Sequence, residues 1–174
     1  PYTVGYARML EIGMRIEAGQ LETAAALAAE LSALGEQHGF EIFQLVGAND
    51  QAAVGALVAL GAEDQAALEG HIAAMTQLLD YSQTFEANLF RTVYDALLGR
   101  LLIGAAEPEA ARERLNAGLA LAQRTGMRCY DAELLRLRAQ THSDAMARQA
   151  DVDAALQLAR AQGARLFELR AALD

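Results

Sequence analysis

Three adjacent residues, His142, Ser143 and Asp144, supply a base, a nucleophile and an orienting acid, the side-chain types that acyl transfer needs. Adjacent positions in a loop, with no strand-to-helix elbow to lift the serine, instead fit the end of one helix and the N-cap of the next. His38, His71 and His142 are the chain's three histidines, and no pair of them has metal-ligand spacing. His38 stands just before Gly39 at an expected helix end, where an imidazole meets the helix dipole favourably. The single cysteine, Cys129, between Met127 and Tyr130, reads as a small core residue and excludes an internal disulfide. No Gly-rich loop is followed by a phosphate-binding lysine, and the chain contains no lysine at all. The sequence therefore predicts no enzyme, no cofactor and no metal site.

A more pointed set lies at Glu133, Arg136 and Arg138. Glu133 and Arg136 can pair on one helix turn while Arg138 points elsewhere. Ordinary solvated or interhelical pairs account for them. The functional alternative is a basic spot in a groove lined by repeat-opening helices, to which Arg91 and Tyr94 contribute from an earlier unit. Arg91, Tyr94, Arg136 and Arg138 are thus the candidate partner-binding residues, since arrays of helical hairpins bind along such a face.

The elements that must position these residues are helical. Hydrophobic residues make up 53% of the chain, with alanine and leucine dominant and β-branched and aromatic residues scarce, a mixture that favours helix over strand. Gly39 with Phe43, Gly126 with Tyr130 and Gly163 with Phe167 repeat one device: a glycine that stops a helix, then an aromatic that opens the next. Taking units to begin near Gly5, Gly39, Thr84, Gly126 and Gly163 gives spacings of 34, 45, 42 and 37 residues, in the range of helical solenoids.

Within these units, Met9, Leu10, Ile12 and Ile16 mark a first helix before Gly19. Leu21, Ala24, Ala25, Ala28 and Leu31 share one face of a second, whose small residues let two axes approach closely. Phe43, Val46, Val54, Leu57 and Val58 are the expected buried residues of the third. The poor helix formers Gly47, Asn49 and Asp50 leave its continuity open. Leu68, Ile72, Met75 and Leu79 step by four, three and four after a break at Gly61 and the acids Glu63 and Asp64. Phe85 to Ile103, ended by Gly104, is apolar around most of its circumference. Pro108 suits a first helical turn, and Ala111, Leu115, Gly118 and Ala122 carry that helix to Gly126. Met127 to Thr141, a helix with Val152, Ala155, Leu156 and Ala159, and Arg165 to Leu173 complete about nine helices. The expectation is one all-α domain over residues 1–174, a right-handed superhelix of antiparallel helix pairs.

The net charge of −9, from 14 arginines against 23 acidic residues, lacks the basic footprint that phosphate backbones require, so no direct nucleic-acid binding is expected. Only Arg8 and Arg15 precede Arg91, which makes the first half acidic and the second roughly balanced. No signal peptide and no apolar run of membrane-spanning length is evident, so a cytoplasmic protein with no membrane partner is expected. A start at proline and an end inside an amphipathic pattern suggest a piece of a longer polypeptide.

The stretches Arg124-Thr-Gly-Met-Arg-Cys-Tyr-Asp-Ala-Glu-Leu-Leu-Arg-Leu-Arg138 and Gln162-Gly-Ala-Arg-Leu-Phe-Glu-Leu-Arg-Ala-Ala172 carry a resemblance. The chain resembles the tetratricopeptide-like C-terminal region of large bacterial signalling proteins. In those proteins a nucleoside-triphosphatase core is joined to a class III nucleotide cyclase domain or a LuxR-type DNA-binding domain. Gly19 with Ala24 fits the tetratricopeptide turn and following alanine, while the proline that usually ends a repeat is absent. The resemblance implies a non-catalytic arm that docks a protein or other domains of its parent chain, with ATP chemistry and DNA binding elsewhere. It also allows a small-molecule receptor with a pocket inside the superhelix. Leu166, Leu169, Ala172 and Leu173 form a last apolar stripe that lacks a following helix. In a longer polypeptide the next helix is expected to cover it; in this chain it either folds inward or mediates a weak homodimer through the C-terminal helix.

Overall fold

The computed structural model describes residues 1–83 and 90–174, and among these every regular element is an α-helix. The chain falls into two compact units, Pro1–Ala87 and Asn88–Asp174. The first holds α1 (Tyr2–Glu17), α2 (Leu21–His38), α3 (Glu41–Gly61) and α4 (Gln65–Gln83). The second holds α5 (Arg91–Gly104), α6 (Pro108–Thr125), α7 (Asp131–Ala139), α8 (Ala145–Gln162) and α9 (Arg165–Leu173). Phe85, Leu89 and the unit start at Thr84 lie outside the described residues.

Most of the described reversals between helices turn on a residue in the left-handed region; α7–α8, where Gln140 keeps right-handed angles, does not. Gly19, Gly39 and Gly163 sit in the left-handed region at φ of 71°, 69° and 67°, and the next residue's N–H reaches back to a carbonyl of the last turn. Gly126 is also left-handed, at φ 77°. Glycine takes this conformation without a Cβ clash, so it both ends the helix and turns the chain. Two reversals use other residues. Gly61 and Gly104, expected to be the breaks, are the last residues of α3 and α5, and the left-handed positions fall two residues later on Glu63 (φ 56°) and Ala106 (φ 61°). There the bonds Asp64 N–H to Ala59 O and Glu107 N–H to Leu102 O, each 2.9 Å, close the same motif.

In the first unit α3 lies against α1, α2 and α4. Met9, Ile12 and Ile16 are buried at spacings of three and four. Leu10, expected with them, falls off that phase and is 54% exposed. On α2 the buried set is Ala24, Leu27, Ala28, Leu31 and Gly35, with Leu21 and Ala25 only half-buried. Close approach of α2 and α3 explains the small residues: a Cβ on Gly47 would strike Ser32 and the Ala28 carbonyl, and one on Gly35 would strike the backbone of Gln44. α3 is accordingly continuous through Gly47, Asn49 and Asp50, because tertiary packing overrides their weak helix propensity. Phe43 is fully buried against Gly5 and meets Tyr2, Tyr6 and Phe40 in an aromatic cluster. Leu68, Ile72, Met75 and Leu79 are all buried on α4, as their spacing predicts. α3 is, by length and composition, apolar enough to cross a bilayer, which the sequence reading did not foresee; 61% of its apolar window is buried inside the protein.

In the second unit α7 touches α5, α6, α8 and α9. Leu115, Leu134, Leu137 and Ala96 form its core, with Ile103, Leu119 and Tyr130 packed on it. Pro108 opens α6, and Ala111, Leu115, Gly118 and Ala122 are buried as expected. α7 is shorter than the Met127 to Thr141 stretch. Cys129 lies in the turn before it and is exposed, not in the core. Tyr130 meets Phe167 edge to face at 5.1 Å, so two of the repeated aromatics contact each other.

Replacing Ala106 with glycine should raise stability by about 1 kcal/mol, and replacing Gly39 with alanine should lower it by about as much, because a Cβ in the left-handed region costs roughly 1–2 kcal/mol. Urea unfolding of the two variants checks both signs.

Candidate functional site

The four residues singled out from the sequence all belong to the second unit. Arg91 opens α5, is buried, and pairs with Asp95 one turn on at 3.3 Å; Tyr94 beside it is half-buried. Arg114 of α6 reaches the same Asp95 oxygen at 2.9 Å. Burial pushes the Asp95 carboxyl up from its ordinary range, against the pull of Arg114 and Arg91.

On α7 the two arginines diverge. Arg136 is buried and clasps Glu133 with two bonds of 2.9 Å, as their spacing predicts. It also donates to Asp174, beyond the end of α9, at 2.7 Å. Arg170 of α9 donates to Glu133 at 3.1 Å, and Gln140 donates to Asp174 at 2.8 Å. Despite the cost of burial, these carboxylates hold Arg136 above its ordinary pKa. Arg138 points instead to α8 and α6, with bonds of 2.7 and 2.6 Å to the two Asp151 oxygens and one of 2.9 Å to Asn116. His142 Nε2 lies 2.9 Å from Asp151. Although burial opposes it, the Arg138 and His142 hydrogen bonds hold the Asp151 carboxyl below its usual range.

The His142, Ser143 and Asp144 set does not form a triad. Asp144 caps α8 by accepting from the backbone N–H groups of Met146 and Ala147, and His142 turns to Asp151. Among the described residues no three His, Cys, Asp or Glu side chains come together as metal ligands.

A different feature stands out in the first unit. α2 and α4 both pack on α3, and between them a groove of about 460 Å³ opens to solvent. Val54, Val58 and Ala59 of α3 form its floor, Ala25 and Ala29 one wall, and Ala67 and His71 the other. Val58, expected in the core, is 53% exposed because it faces this groove. The His71 ring lies over Gly55, where a Cβ would collide with it. No protein-family model, curated protein or solved structure matches the chain.

Sequence spacing exposed the Glu133–Arg136 pair because its partners are three residues apart. It missed Asp95, although Arg91 stands four residues before it, and it missed Asp151, Arg170 and Asp174, which only the fold brings to their partners. The groove was signalled only by alanines on two helix faces, which sequence alone reads as close packing.

Arg136→Ala should cost about 3–5 kcal/mol, since it strips a buried carboxylate of its bidentate partner, and Arg138→Ala, at a more exposed pair, should cost less. Denaturant unfolding measures both. Asp151 adds stability above its ordinary pKa of 3.8, and that contribution is lost as pH falls through its lower folded value. The stability gap between wild type and Asp151→Asn should therefore be widest near neutrality and close below about pH 3.8.

Proposed function

We propose that this chain is a non-catalytic helical-repeat module that docks a protein, or other domains of its parent chain, in a bacterial signalling or transcriptional regulator. Its helices α1–α2, α3–α4, α5–α6 and α7–α8 are the hairpins of a tetratricopeptide-like right-handed superhelix. Within the units the hairpin-opening helices touch one another, α1 with α3, α5 with α7, and α7 with α9. Stacked hairpins produce that pattern, because no single pair can bury its own apolar faces. The resemblance of the last third of the sequence to such regulators supports the same reading.

The observation that carries docking over small-molecule reception is the groove on α3. It is apolar and open to solvent, whereas a receptor pocket encloses most of its ligand. Arg91, Tyr94, Arg136 and Arg138 then serve the module's own stability first, since the three guanidinium groups already hold internal carboxylates and a partner would have to compete with them.

Selection of helical peptides of unbiased charge from a display library against the intact chain tests docking. Enriched peptides should lose binding to an Ala29→Trp variant, which fills the groove from an exposed position. A selection whose winners all bind that variant normally would refute docking at the groove. Leu166, Leu169 and Leu173 are also 44%, 57% and 77% exposed on α9. Burying what remains exposed would gain about 0.7–2 kcal/mol for each, enough for weak self-association through this helix. Light scattering at rising concentration should show a dimer that Leu169→Glu abolishes; a wild-type monomer throughout would contradict it.

A further inference from the structure

We infer that the groove over α3 takes a cationic amphipathic helix, one with small or medium apolar residues on one face and arginine or lysine on its flanks. This rests on the docking reading above and adds the chemistry of the partner.

The shape argues for a helix. The groove runs between two helices whose backbones stand apart, over a third that forms its floor. Its walls are set by residues one helical turn apart, Ala25 with Ala29 and Ala67 with His71. Alanine at three of these positions, with the His71 ring laid over Gly55, admits another helix at close range, with its ridge seated between theirs.

The charge argues for a cationic helix. Between Arg15 and Arg91 the sequence has no arginine or lysine and eleven acidic residues. Glu22 and Glu36 lie on the α2 stripe that carries Ala25 and Ala29, at offsets of three and seven from those alanines. Glu63 and Asp64 occupy the turn at one end, and Asp64 is itself a lining residue. All four are exposed, and no ion pair among the described residues neutralises Glu22, Glu36 or Glu63. An apolar trough rimmed by one sign of charge attracts a helix of the opposite sign and rejects fatty acids and acidic helices, whose carboxylates would meet like charge.

The test uses the intact chain and two synthetic helical peptides with the same alanine and leucine face, one with lysine and arginine on its polar face and one with glutamate. Calorimetric titration should show binding of the cationic peptide, weakened about tenfold or more as salt is raised from low to physiological strength. The acidic twin should not bind. Val58→Asp separates groove from surface charge: it adds attraction for a cation but spoils the apolar floor. Seating in the groove predicts about tenfold weaker binding for this variant, whereas diffuse attraction predicts tighter binding. Thermal melting verifies that the variant, altered at an exposed position, stays folded. Equal binding of the two peptides, binding of neither, or undiminished affinity for Val58→Asp would overturn the inference. If the unbiased selection instead enriches neutral or acidic peptides that Ala29→Trp excludes, docking stands and only the cationic assignment falls.

Discussion

The second unit depends on the burial of a short helix that carries charge. α7 has nine residues, and Asp131, Glu133 and Arg136 are buried among them. An isolated charge taken out of water costs several kcal/mol, so such groups need an opposite charge and hydrogen bonds, and Asp131 meets Arg128 through its Oδ2 at 2.7 Å. Glu133 and Arg136 clasp each other, and their remaining capacity is met by Arg170 and Asp174 of the C-terminal segment. Arg138 anchors α8 through Asp151 and α6 through Asn116. α7 thus sets the register of its neighbours by direction-sensitive bonds, where leucine packing alone would tolerate sliding.

The first unit solves the same packing problem by removing side chains. Glycine at positions 5, 35 and 47 and the alanines of α2 bring the helices close, leaving aromatic and aliphatic bulk to Phe43, Leu31 and Met75. Small residues have a second consequence where no neighbour fills the space they leave. On the inner side of α2 they permit contact with α3; on the outer side Ala25 and Ala29 leave a trough. Small residues on one helix therefore make both a close contact with α3 and an open groove.

How much of this was legible follows from the range of each interaction. Periodicity placed Leu68, Ile72, Met75 and Leu79 correctly, and left-handed glycines marked the turns at 39, 126 and 163, since both signals are local. Leu10 and Val58 were misassigned because hydrophobicity alone does not fix the phase of a helix when its neighbours are unknown. Gly61 and Gly104 misled for a related reason: each lies two residues before the strained position, which Glu63 and Ala106 occupy. Arg138 and Asp151 are thirteen residues apart and Arg136 and Asp174 thirty-eight, so only the fold pairs them.

Charge is where the two units differ most. The first carries two arginines against twelve acidic residues, the second twelve against eleven. Several arginines of the second unit link helices through carboxylates: Arg114 to Asp95, Arg136 to Asp174, Arg138 to Asp151 and Arg170 to Glu133. In the first, Arg8 and Arg15 both pair with Glu11 at one end, Arg8 also reaches Glu30 of α2 at 3.3 Å, and α2 to α4 have no cation but histidine. Uncompensated like charges repel, and that repulsion opposes the compact state unless salt or a cationic surface screens it. A partner that supplies the missing positive charge gains from this in two ways, by direct attraction and by relieving repulsion already present in the free unit. If the groove takes a cationic helix as proposed, the acidic residues that repel one another in the free unit would favour the occupied form, which would give a physical reason for a cation-free stretch to frame an open groove.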